Sequence, residues 1–542
     1  MVKNMDVHFA SAWEEVADLF PNRKAAICDG KSITWNQFER KAGQIASLLI
    51  AHGLGKDSKI ALYLHNSNEY LEASFGAFKI EACPINVNYR YKAEELVYLL
   101  DSADAEAVFF QSRYAMRIWE IKDRLSKVKV FVQIDDGTEA LLKGAIDYDR
   151  SIRSLEPLPR QARDLKGKYI LYTGGTVGMP KGVVYEVGPF AGRFLDMIAA
   201  DIGVEPPNNL EEYRKILSKI ERFPVSLPAC PLMHGTGIWL GAFLPLMGGG
   251  CVVTTSSSGL NPDLVLSLVE THRVTDLVIS GDVVAKPILD SLEFAKKRND
   301  PFDLTSLQKI TSSGLMWSEE VKEQLLIHHD LVLTDILGSA EGDMASSVAT
   351  RGVSPSVTAQ FDLADGVIVI TDEGEMVEPG SGKIGRLATS ASIPIGYFED
   401  SEKAQATFME IGGVRYSLPG DYATIGLDGT IAFLGQGSVC ISTPGGKVFA
   451  EEVEEVVKKL EGIADCLVVG IPDEDVEEKV IAVVSCEGDF SVEESLISDF
   501  SGQHLPGYKV PKGFVFVMQV RRSPNGKGDY RWAKETAVKN FG

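Results

Sequence analysis

Stretches typical of β-strands alternate with stretches typical of α-helices along much of the chain. The run KIALYLH, residues 59–65, is strand-like, the following NEYLEASFGAFKIEA has the pattern of a helix, and CPINVNY is again strand-like. The same order recurs where AEELVYLLDSA precedes EAVFF and where LVLSLVETHRV precedes DLVIS. Such alternation is typical of α/β folds, whose strands form a parallel sheet. We therefore predict an α/β fold.

Residues 365–441 have a different pattern. The segments GVIVITDEGEMV and YATIGLDGTIAFLG are β-rich runs with acidic, glycine-containing turns, as in antiparallel hairpins. After them, FAEEVEEVVKKLEGI predicts an amphipathic helix, and ADCLVVGIPD and KVIAVVSC predict strands. Because 542 residues are too many for one core, we predict two domains. The first, residues 1–434, has parallel α/β layers and a β-rich subdomain, and the second, residues 435–542, is a small α/β domain.

The composition disfavours several classes of protein. A formal net charge of −22 is unfavourable for a nucleic-acid-binding surface, because a duplex would be repelled. Seven cysteines, an odd number with none at metal-ligand spacing, favour buried thiols in a reducing cytoplasm. The N-terminus predicts an amphipathic helix and not a signal peptide. Residues 223–262 have few ionisable side chains, but Pro245 and three successive glycines interrupt their apolar part, so we expect a buried core segment and not a membrane span.

The segment LYTGGTVGMPKGV, residues 171–183, has four glycines, two threonines and a lysine. Glycines let backbone N–H groups approach an anion, threonine hydroxyls are further donors, and Lys181 adds a positive charge, which together suit a phosphate group. The spacing fits neither the P-loop, which needs glycine directly before the lysine, nor the dinucleotide-binding fingerprint. On its own residues, the segment is explained equally well as a structural turn.

Five segments follow one another along the chain: YTGGTVGMPKG; LMHGTG; LGSAEG; the stretch from PGDYATIGLDG to PGGKVFAEEVEEVV; and RSPNGKGDYRW. In this order they resemble motifs of the adenylate-forming acyl-CoA synthetases, which belong to a superfamily with luciferases and peptide-synthetase adenylation domains. The motifs are, in turn, the phosphate loop, the segment beside the acyl pocket, a short glutamate motif, the stretch from the ribose-binding acid through the hinge, and the catalytic-lysine motif. The resemblance covers nearly the whole chain. Through INVNYRY, PIGYFED and GYKVP it is greatest to the steroid side-chain and fatty acid CoA ligases.

The resemblance implies an ATP-dependent acyl-CoA ligase for a hydrophobic carboxylic acid, either a steroid side-chain acid or a medium- or long-chain fatty acid. ATP and the acid would give acyl-AMP and pyrophosphate, and coenzyme A would then displace AMP, while the mobile C-terminal domain rotates about a hinge near Ser438. It implies ATP, Mg²⁺ and CoA as cofactors and allows a homodimer. Two alternatives stay open: an adenylating enzyme with another acceptor, and a non-catalytic homologue that binds acyl-AMP or acyl-CoA.

The resemblance also implies functional residues. Lys527 corresponds to the lysine that bridges the carboxylate and the α-phosphate, Glu341 and Thr173 to magnesium ligands, and His234 to a catalytic residue that borders the acyl pocket. Without the resemblance, Lys527 is better explained as a solvated turn residue. Glu341 could be a loop acid at the end of a strand, and His234 is explained equally well as a core histidine. The implied nucleotide- and CoA-binding residues are Thr173, Gly174, Gly175, Thr176, Gly178, Lys181, Ser313, Gly314, Ser339, Asp421, Gln436, Gly445, Gly446 and Lys447. Of these, Asp421 would accept from the ribose hydroxyls, and the last three would face CoA.

Three residues depart from the family pattern on the nucleotide side. Val177 and Ala340 stand where the family has a hydroxyl residue, and Gln436 replaces an arginine that by resemblance contacts ribose. Each change removes a hydrogen-bond donor or a charge. We therefore expect a working enzyme with a raised Michaelis constant for ATP.

Overall fold

The computed structural model describes residues 5–173, 180–257, 259–355, 357–443, 446–472, 478–488, 490–523 and 526–541, without the side chain of Ser401. Some residues predicted to bind phosphate or CoA lie outside these ranges, as does one of the three departures from the family pattern. They are Gly174, Gly175, Thr176, Val177, Gly178 and Gly445.

The helices are numbered in chain order. They are α1 (Phe9–Leu19), α2 (Trp35–Ala51), α3 (Asn68–Lys79), α4 (Ala93–Ser102), α5 (Ala115–Ile121), α6 (Tyr148–Arg153), α7 (Val187–Asp201), α8 (Leu210–Lys219), α9 (Leu244–Met247), α10 (Pro262–His272), α11 (Gly281–Lys297), α12 (Glu319–His328), α13 (Ser401–Thr407), α14 (Ala450–Lys458), α15 (Glu494–His504) and α16 (Tyr530–Phe541). A π-helix, Thr236–Phe243, leads directly into α9.

The strands are numbered in the same way. They are β1 (Lys24–Cys28), β2 (Lys31–Thr34), β3 (Lys59–Tyr63), β4 (Cys83–Asn86), β5 (Ala105–Gln111), β6 (Val130–Ile134), β7 (Ile146–Asp147), β8 (Lys168–Thr173), β9 (Lys181–Glu186), β10 (Val225–Pro228), β11 (Cys251–Thr254), β12 (Asp276–Ile279), β13 (Lys309–Ser313), β14 (Val332–Ser339), β15 (Gly342–Ala349), β16 (Gln360–Leu363), β17 (Val367–Ile370), β18 (Gly385–Thr389), β19 (Gly396–Tyr397), β20 (Phe408–Ile411), β21 (Val414–Ser417), β22 (Asp421–Ile425), β23 (Ile431–Gln436), β24 (Cys440–Thr443), β25 (Gly446–Phe449), β26 (Ile463–Pro472), β27 (Glu478–Cys486) and β28 (Gly513–Phe516).

Within the first 436 residues, the described chain forms two large sheets and a three-stranded sheet, β19-β9-β8. Within the described residues, a 15-stranded sheet has the order β2-β1-β11-β10-β12-β13-β14-β15-β16-β23-β22-β18-β21-β20, with β17 beside β18. In this spatial order, each neighbouring pair from β1 to β14 is parallel. The edge strand β2 pairs antiparallel with β1, and the strands that follow β14 in the sheet are antiparallel. A second sheet, β4-β3-β5-β6-β7, is parallel throughout. The predicted α/β fold with a β-rich subdomain is confirmed.

The last hundred residues form a separate small unit. Strands β26 and β27 pair antiparallel, and β28 joins β27 in parallel. Helices α14 and α16 pack on this sheet, and α15 packs against α14. This confirms a small α/β unit at the C-terminal end. In the β-rich region, β22 and β23 form the predicted antiparallel hairpin, whereas β17 finds its main partner in β18 and not within its own segment. A partner about 20 residues further along cannot be predicted from a local turn pattern.

The segment with few ionisable side chains, residues 223–262, lies in the core, as predicted. It contributes β10, the π-helix, α9 and β11, and the ring of Phe243, at the end of the π-helix, packs at an angle against Phe9, Trp13 and Phe78. No helix within the described ranges is long and apolar enough to cross a membrane. The segment is therefore part of the buried core.

Candidate active site

A cavity of about 1040 Å³ lies between the large N-terminal part and the C-terminal unit. Strands β10, β12 and β13 run parallel, and the cavity is lined by residues at or just beyond their carboxyl ends, such as His234, Ser280 and Ser313. Ligands of open α/β sheets commonly bind at such carboxyl ends. From the other side, the C-terminal unit contributes Arg522 and Lys527.

The cavity brings together residues that are far apart in sequence. The predicted site residues that line it are Thr173, His234, Ser313, Gly314, Ser339 and Lys527. Thr236 links two of the segments, because its hydroxyl donates to the carbonyl of Ser313 over 3.3 Å. Gly314 has a φ of +92°, a conformation that favours glycine.

Lys527 is held by a turn that closes on its own carbonyl. The backbone N–H and the hydroxyl of Ser523 both donate to that oxygen, at 2.8 and 3.1 Å. Gly526 packs so closely that a Cβ there would lie 2.4 Å from Cδ1 of Leu315 in the N-terminal part. The turn is therefore docked against the large domain and presents Lys527 to the cavity.

Asp421, at the start of β22, is buried close to Lys527 but does not line the cavity. Burial, followed by the nearby Glu341 carboxylate, raises the pKa of its carboxyl to about 6. The positive charge of Lys527 and a hydrogen bond from the Gln436 side chain act in the opposite direction. Asp421, Gln436, Glu341 and Lys527 thus form one electrostatic cluster.

His234 has a neutral imidazole facing the cavity. Burial lowers its pKa to about 3, and the positive charges of Lys527 and Arg90 contribute to the same shift. Its Nε2 is buried and has no hydrogen-bond partner among the described residues. Because an unpaired buried polar atom is costly, this nitrogen is suited to a ligand group.

Glu341 lies in the turn between β14 and β15. Its Oε1 accepts a hydrogen bond from the Tyr397 hydroxyl over 2.7 Å, and its backbone N–H donates to the Ser339 hydroxyl over 3.1 Å. Burial, followed by the nearby Glu341 charge, raises the pKa of Tyr397. These contacts fix the carboxylate beside the cavity wall formed by Ser339 and Ala340.

Lys181, the first residue of β9, lies beside a second lysine that the sequence did not reveal. Its Nζ is 3.3 Å from Asp400, and burial followed by contact with Lys181 lowers the pKa of Lys403. Two adjacent ammonium groups repel each other and therefore favour a nearby anion. Lys403 and Lys181 are 222 positions apart, so no local motif could have joined them.

Gly446 and Lys447 lie away from the cavity. The Nζ of Lys447 is 2.6 Å from Asp372 and 4.9 Å from the ring centre of Tyr422. Both partners belong to the N-terminal part, so the described portion of the predicted CoA-facing turn is docked on its outer surface. The structure thus separates this turn from Lys527.

A buried carboxyl of α14 also contacts the end of β23 in the large sheet. Glu451, in the first turn of α14, accepts from the backbone N–H of Gln436 over 3.3 Å, while its Oε2 is buried without a hydrogen-bond partner in the described chain. Burial, then the charges of Glu454 and Asp421, raise its pKa to about 8. Its sequence context, FAEEVEE, gives only the pattern of a solvated acidic helix face.

Comparison with known proteins agrees with this two-part arrangement around one cavity. The family described as AMP-binding enzyme matches residues 13–393, and the one described as AMP-binding enzyme C-terminal domain matches residues 452–527. The chain belongs to the AMP-binding enzyme family, so the resemblance to adenylate-forming enzymes is confirmed.

Relatives match over nearly the whole chain. A 3-oxocholest-4-en-26-oate–CoA ligase of Rhodococcus rhodochrous is 35% identical over 98% of this chain and 96% of its own length. A medium/long-chain-fatty-acid–CoA/3-oxocholest-4-en-26-oate–CoA ligase of Mycolicibacterium smegmatis is 34% identical over the same shares. The crystal structure of the anthranilate CoA ligase AuaEII in complex with anthranoyl-AMP has the same fold, with a TM-score of 0.82, 20% identity and 99% of both chains covered.

Proposed function

We infer that the chain is an AMP-forming acyl-CoA synthetase. ATP and a carboxylic acid give acyl-AMP and pyrophosphate, and the thiol of CoA then attacks the acyl carbon and releases AMP. The observation that carries this inference is the position of Lys527, which the C-terminal unit presents to the same cavity as His234 and beside Asp421. Adenylation brings two anions together, so it needs a positive charge at the point where they meet.

We assign the nucleotide to the side of the cavity formed by Thr173, Ser313, Gly314 and Ser339. Lys181, with Lys403 beside it, would bind phosphate oxygens. Asp421 would accept from the ribose hydroxyls, with Gln436 as its neighbour. Lys527 would contact the α-phosphate and the acyl carboxylate, and the unpaired Nε2 of His234 would face the acyl group.

Glu341 and Thr173 fit a magnesium ion. Carboxylate and hydroxyl oxygens are the hard ligands that Mg²⁺ takes together with phosphate. The Tyr397 hydroxyl already orients the Glu341 carboxylate. Within the described ranges no group of three or more His, Cys, Asp or Glu residues could hold a metal, which suits an ion that shares its ligands with ATP. Bound there, it would offset phosphate charge.

We propose a hydrophobic acid as the substrate, either a steroid side-chain acid or a medium- or long-chain fatty acid. The cavity wall formed by Met197, Trp239, Leu240 and Ile336 is apolar. Each methylene that such a wall buries contributes about 0.8 kcal/mol, so long or bulky acids should be strongly preferred over acetate. The two bacterial relatives, whose names specify steroid and fatty acid substrates, support the same class.

We propose that residues 1–434 and 435–542 are the two domains and that the second rotates near Ser438 between the half-reactions. With Lys527 in the cavity and Lys447 on the outside, the present arrangement suits adenylation. Rotation would replace the Lys527 turn by the turn containing Gly445, Gly446 and Lys447, which would then face CoA.

The seven cysteines are unpaired, which supports a reducing compartment such as the cytoplasm. The homodimer is a proposal that light scattering of the purified chain tests.

The decisive experiment follows both half-reactions. The purified chain is given ATP, Mg²⁺ and a panel of steroid, fatty and aryl acids, and pyrophosphate, AMP and CoA thioester are each measured. We expect pyrophosphate release with the hydrophobic acids and CoA-dependent AMP release with thioester formation. Pyrophosphate without thioester would indicate another acceptor. Absence of both products with every acid would indicate a non-catalytic homologue.

A further inference from the structure

One ion pair interrupts the apolar wall of the cavity. Nη2 of Arg193, in α7, lies 2.7 Å from Oδ2 of Asp343, in β15, and both side chains line the cavity. Met197 follows Arg193 by four residues and therefore shares its face of the helix. The described lining of the same cavity also contains Trp239, Leu240 and Ile336.

Most N–H donors of the Arg193 guanidinium have no acceptor within the described chain. An arginine carries five N–H donors, and within the described chain only Asp343 accepts a hydrogen bond from Arg193. The Arg193 side chain is 14% exposed, so bulk water reaches it poorly, whereas that of Asp343 is 46% exposed. Phe190, one turn before Arg193 on α7, supports the guanidinium with its ring centre 5.9 Å away.

A hydrocarbon tail alone would not suit this wall. It would remove water from the guanidinium without offering an acceptor, and burying a polar group without a partner is unfavourable. A tail with a carbonyl oxygen at this position would accept from the unused N–H groups while its carbon skeleton packs against the apolar residues. Hydrogen bonds to charged donors are the stronger kind.

We propose that Arg193, held by Asp343, is a specificity site that binds a ketone oxygen on the acyl substrate. This rests on the proposed ligase function and narrows its substrate class to oxo acids, such as the 3-oxo steroid acid, over hydrocarbon acids of similar size. Asp343 is a positioning residue, because it aims the guanidinium and does not contact the ketone. The pair is 150 positions apart in sequence, and no motif contains it.

The test compares two acids that differ only in the ketone. They are the 3-oxocholest-4-en-26-oic acid that the relative's name specifies and the same acid without the 3-oxygen. Hexadecanoate serves as a third substrate. We expect kcat/KM of the native chain to favour the 3-oxo acid by about ten- to hundred-fold over the acid without it. Arg193→Met, similar in length but without donors, should remove this preference and retain turnover of the other two acids, and Arg193→Lys should keep part of it.

Arg273→Met is the matched control, because Arg273 forms a similar 2.8 Å pair with Asp303 but does not line the cavity. It should leave the preference unchanged. Equal kcat/KM for the two steroid acids in the native chain would overturn the proposal and leave the ligase function intact. Equal losses on all three acids in both Arg193→Met and Arg193→Lys would also overturn it, since Arg193 would then be structural. If the native chain turns over none of the acids, the proposed function itself fails.

Discussion

The cluster around Lys527 contains more carboxylates than cations. The Glu341 carboxylate raises the pKa of Asp421, and Lys527 is the cation that lowers it. Removing this charge would leave the incoming carboxylate and phosphate close to two acids. The loss should therefore affect the step in which the anions meet and not the later attack by a neutral or thiolate sulfur on acyl-AMP.

Lys527→Ala should lower the rate of acyl-AMP formation by about 10²–10³, the usual effect of losing one group that stabilises developing charge. Pyrophosphate release with a good acid measures this step. Thioester formation from supplied acyl-AMP and CoA should persist. Lys534→Ala, which removes another cavity lysine paired with Glu478, is the control and should change either rate only slightly. An equal loss in both half-reactions for Lys527→Ala would refute a role confined to adenylation.

Gln436 lies opposite Asp421 in the β22–β23 pair, and its side chain donates to that carboxyl. An arginine here would add a charge beside the acid that we propose to bind ribose. We expect Gln436→Arg to lower the Michaelis constant for ATP by about tenfold or more, because a hydrogen bond to a charged group contributes about 1.5–3 kcal/mol. AMP release across an ATP titration measures it, with the constant for the acid as internal control. A low Michaelis constant for ATP in the native chain would show that glutamine at position 436 does not weaken ATP binding.

At the scale of elements, the π-helix Thr236–Phe243 begins directly after the turn that contains His234, and so its packing fixes the path of the backbone at that residue. Gly237 is in such close contact that a Cβ would lie 2.2 Å from the carbonyl oxygen of Pro231. That contact is with backbone and cannot be relieved by turning a side chain. A glycine is therefore required where the chain folds back after β10.

Gly237→Ala should lower the free energy of unfolding by about 1–3 kcal/mol, the usual cost of overpacking a core. It should also lower kcat/KM for the acid, because His234 and Thr236 move with the turn. Thermal unfolding and AMP release measure the two effects. Gly259→Ala is the matched control, since no heavy atom lies within 4 Å of its added Cβ, and should stay within about 0.5 kcal/mol of the native chain. An unchanged stability in Gly237→Ala would contradict the tight packing seen here.

The sequence predicted these elements better than their partners. Hydrophobic periodicity placed β3, α3, β4 and β5 within a few residues of their observed bounds, because that pattern reflects local burial. It did not reveal that β17 pairs with β18, that Lys403 lies beside Lys181, or that Arg193 meets Asp343. Each of these contacts depends on how distant segments pack, which no local pattern records. Motifs carried over from the family named Lys527 and Asp421 but could not reveal the burial of Glu451.

At the scale of the whole molecule, Glu451 connects titration to domain docking. The carboxyl lies against Gln436 at the end of β23, just before the proposed hinge at Ser438, with Glu454 and Asp421 as its acidic neighbours. If the C-terminal unit rotates away, water reaches the carboxyl and its pKa returns towards the ordinary value of 4.5 from about 8. The docked state therefore binds the proton more tightly than the rotated state.

Docking of the C-terminal unit should consequently weaken as pH rises from about 4.5 to about 8, with the stabilising effect of protonated Glu451 fully present only below that window. The amide of Gly437, which donates to the Gly420 carbonyl over 2.8 Å at the proposed hinge, reports on it by hydrogen exchange. The exchange rate of this amide in the native chain is divided by its rate in Glu451→Gln at each pH. The intrinsic pH dependence of exchange is the same in both proteins and cancels, and because glutamine does not titrate, the ratio reports the ionisation of Glu451 alone. The ratio should rise with pH through the window. A flat ratio, with both proteins folded, would show that this carboxyl does not control docking and that rotation must be driven by the ligands alone.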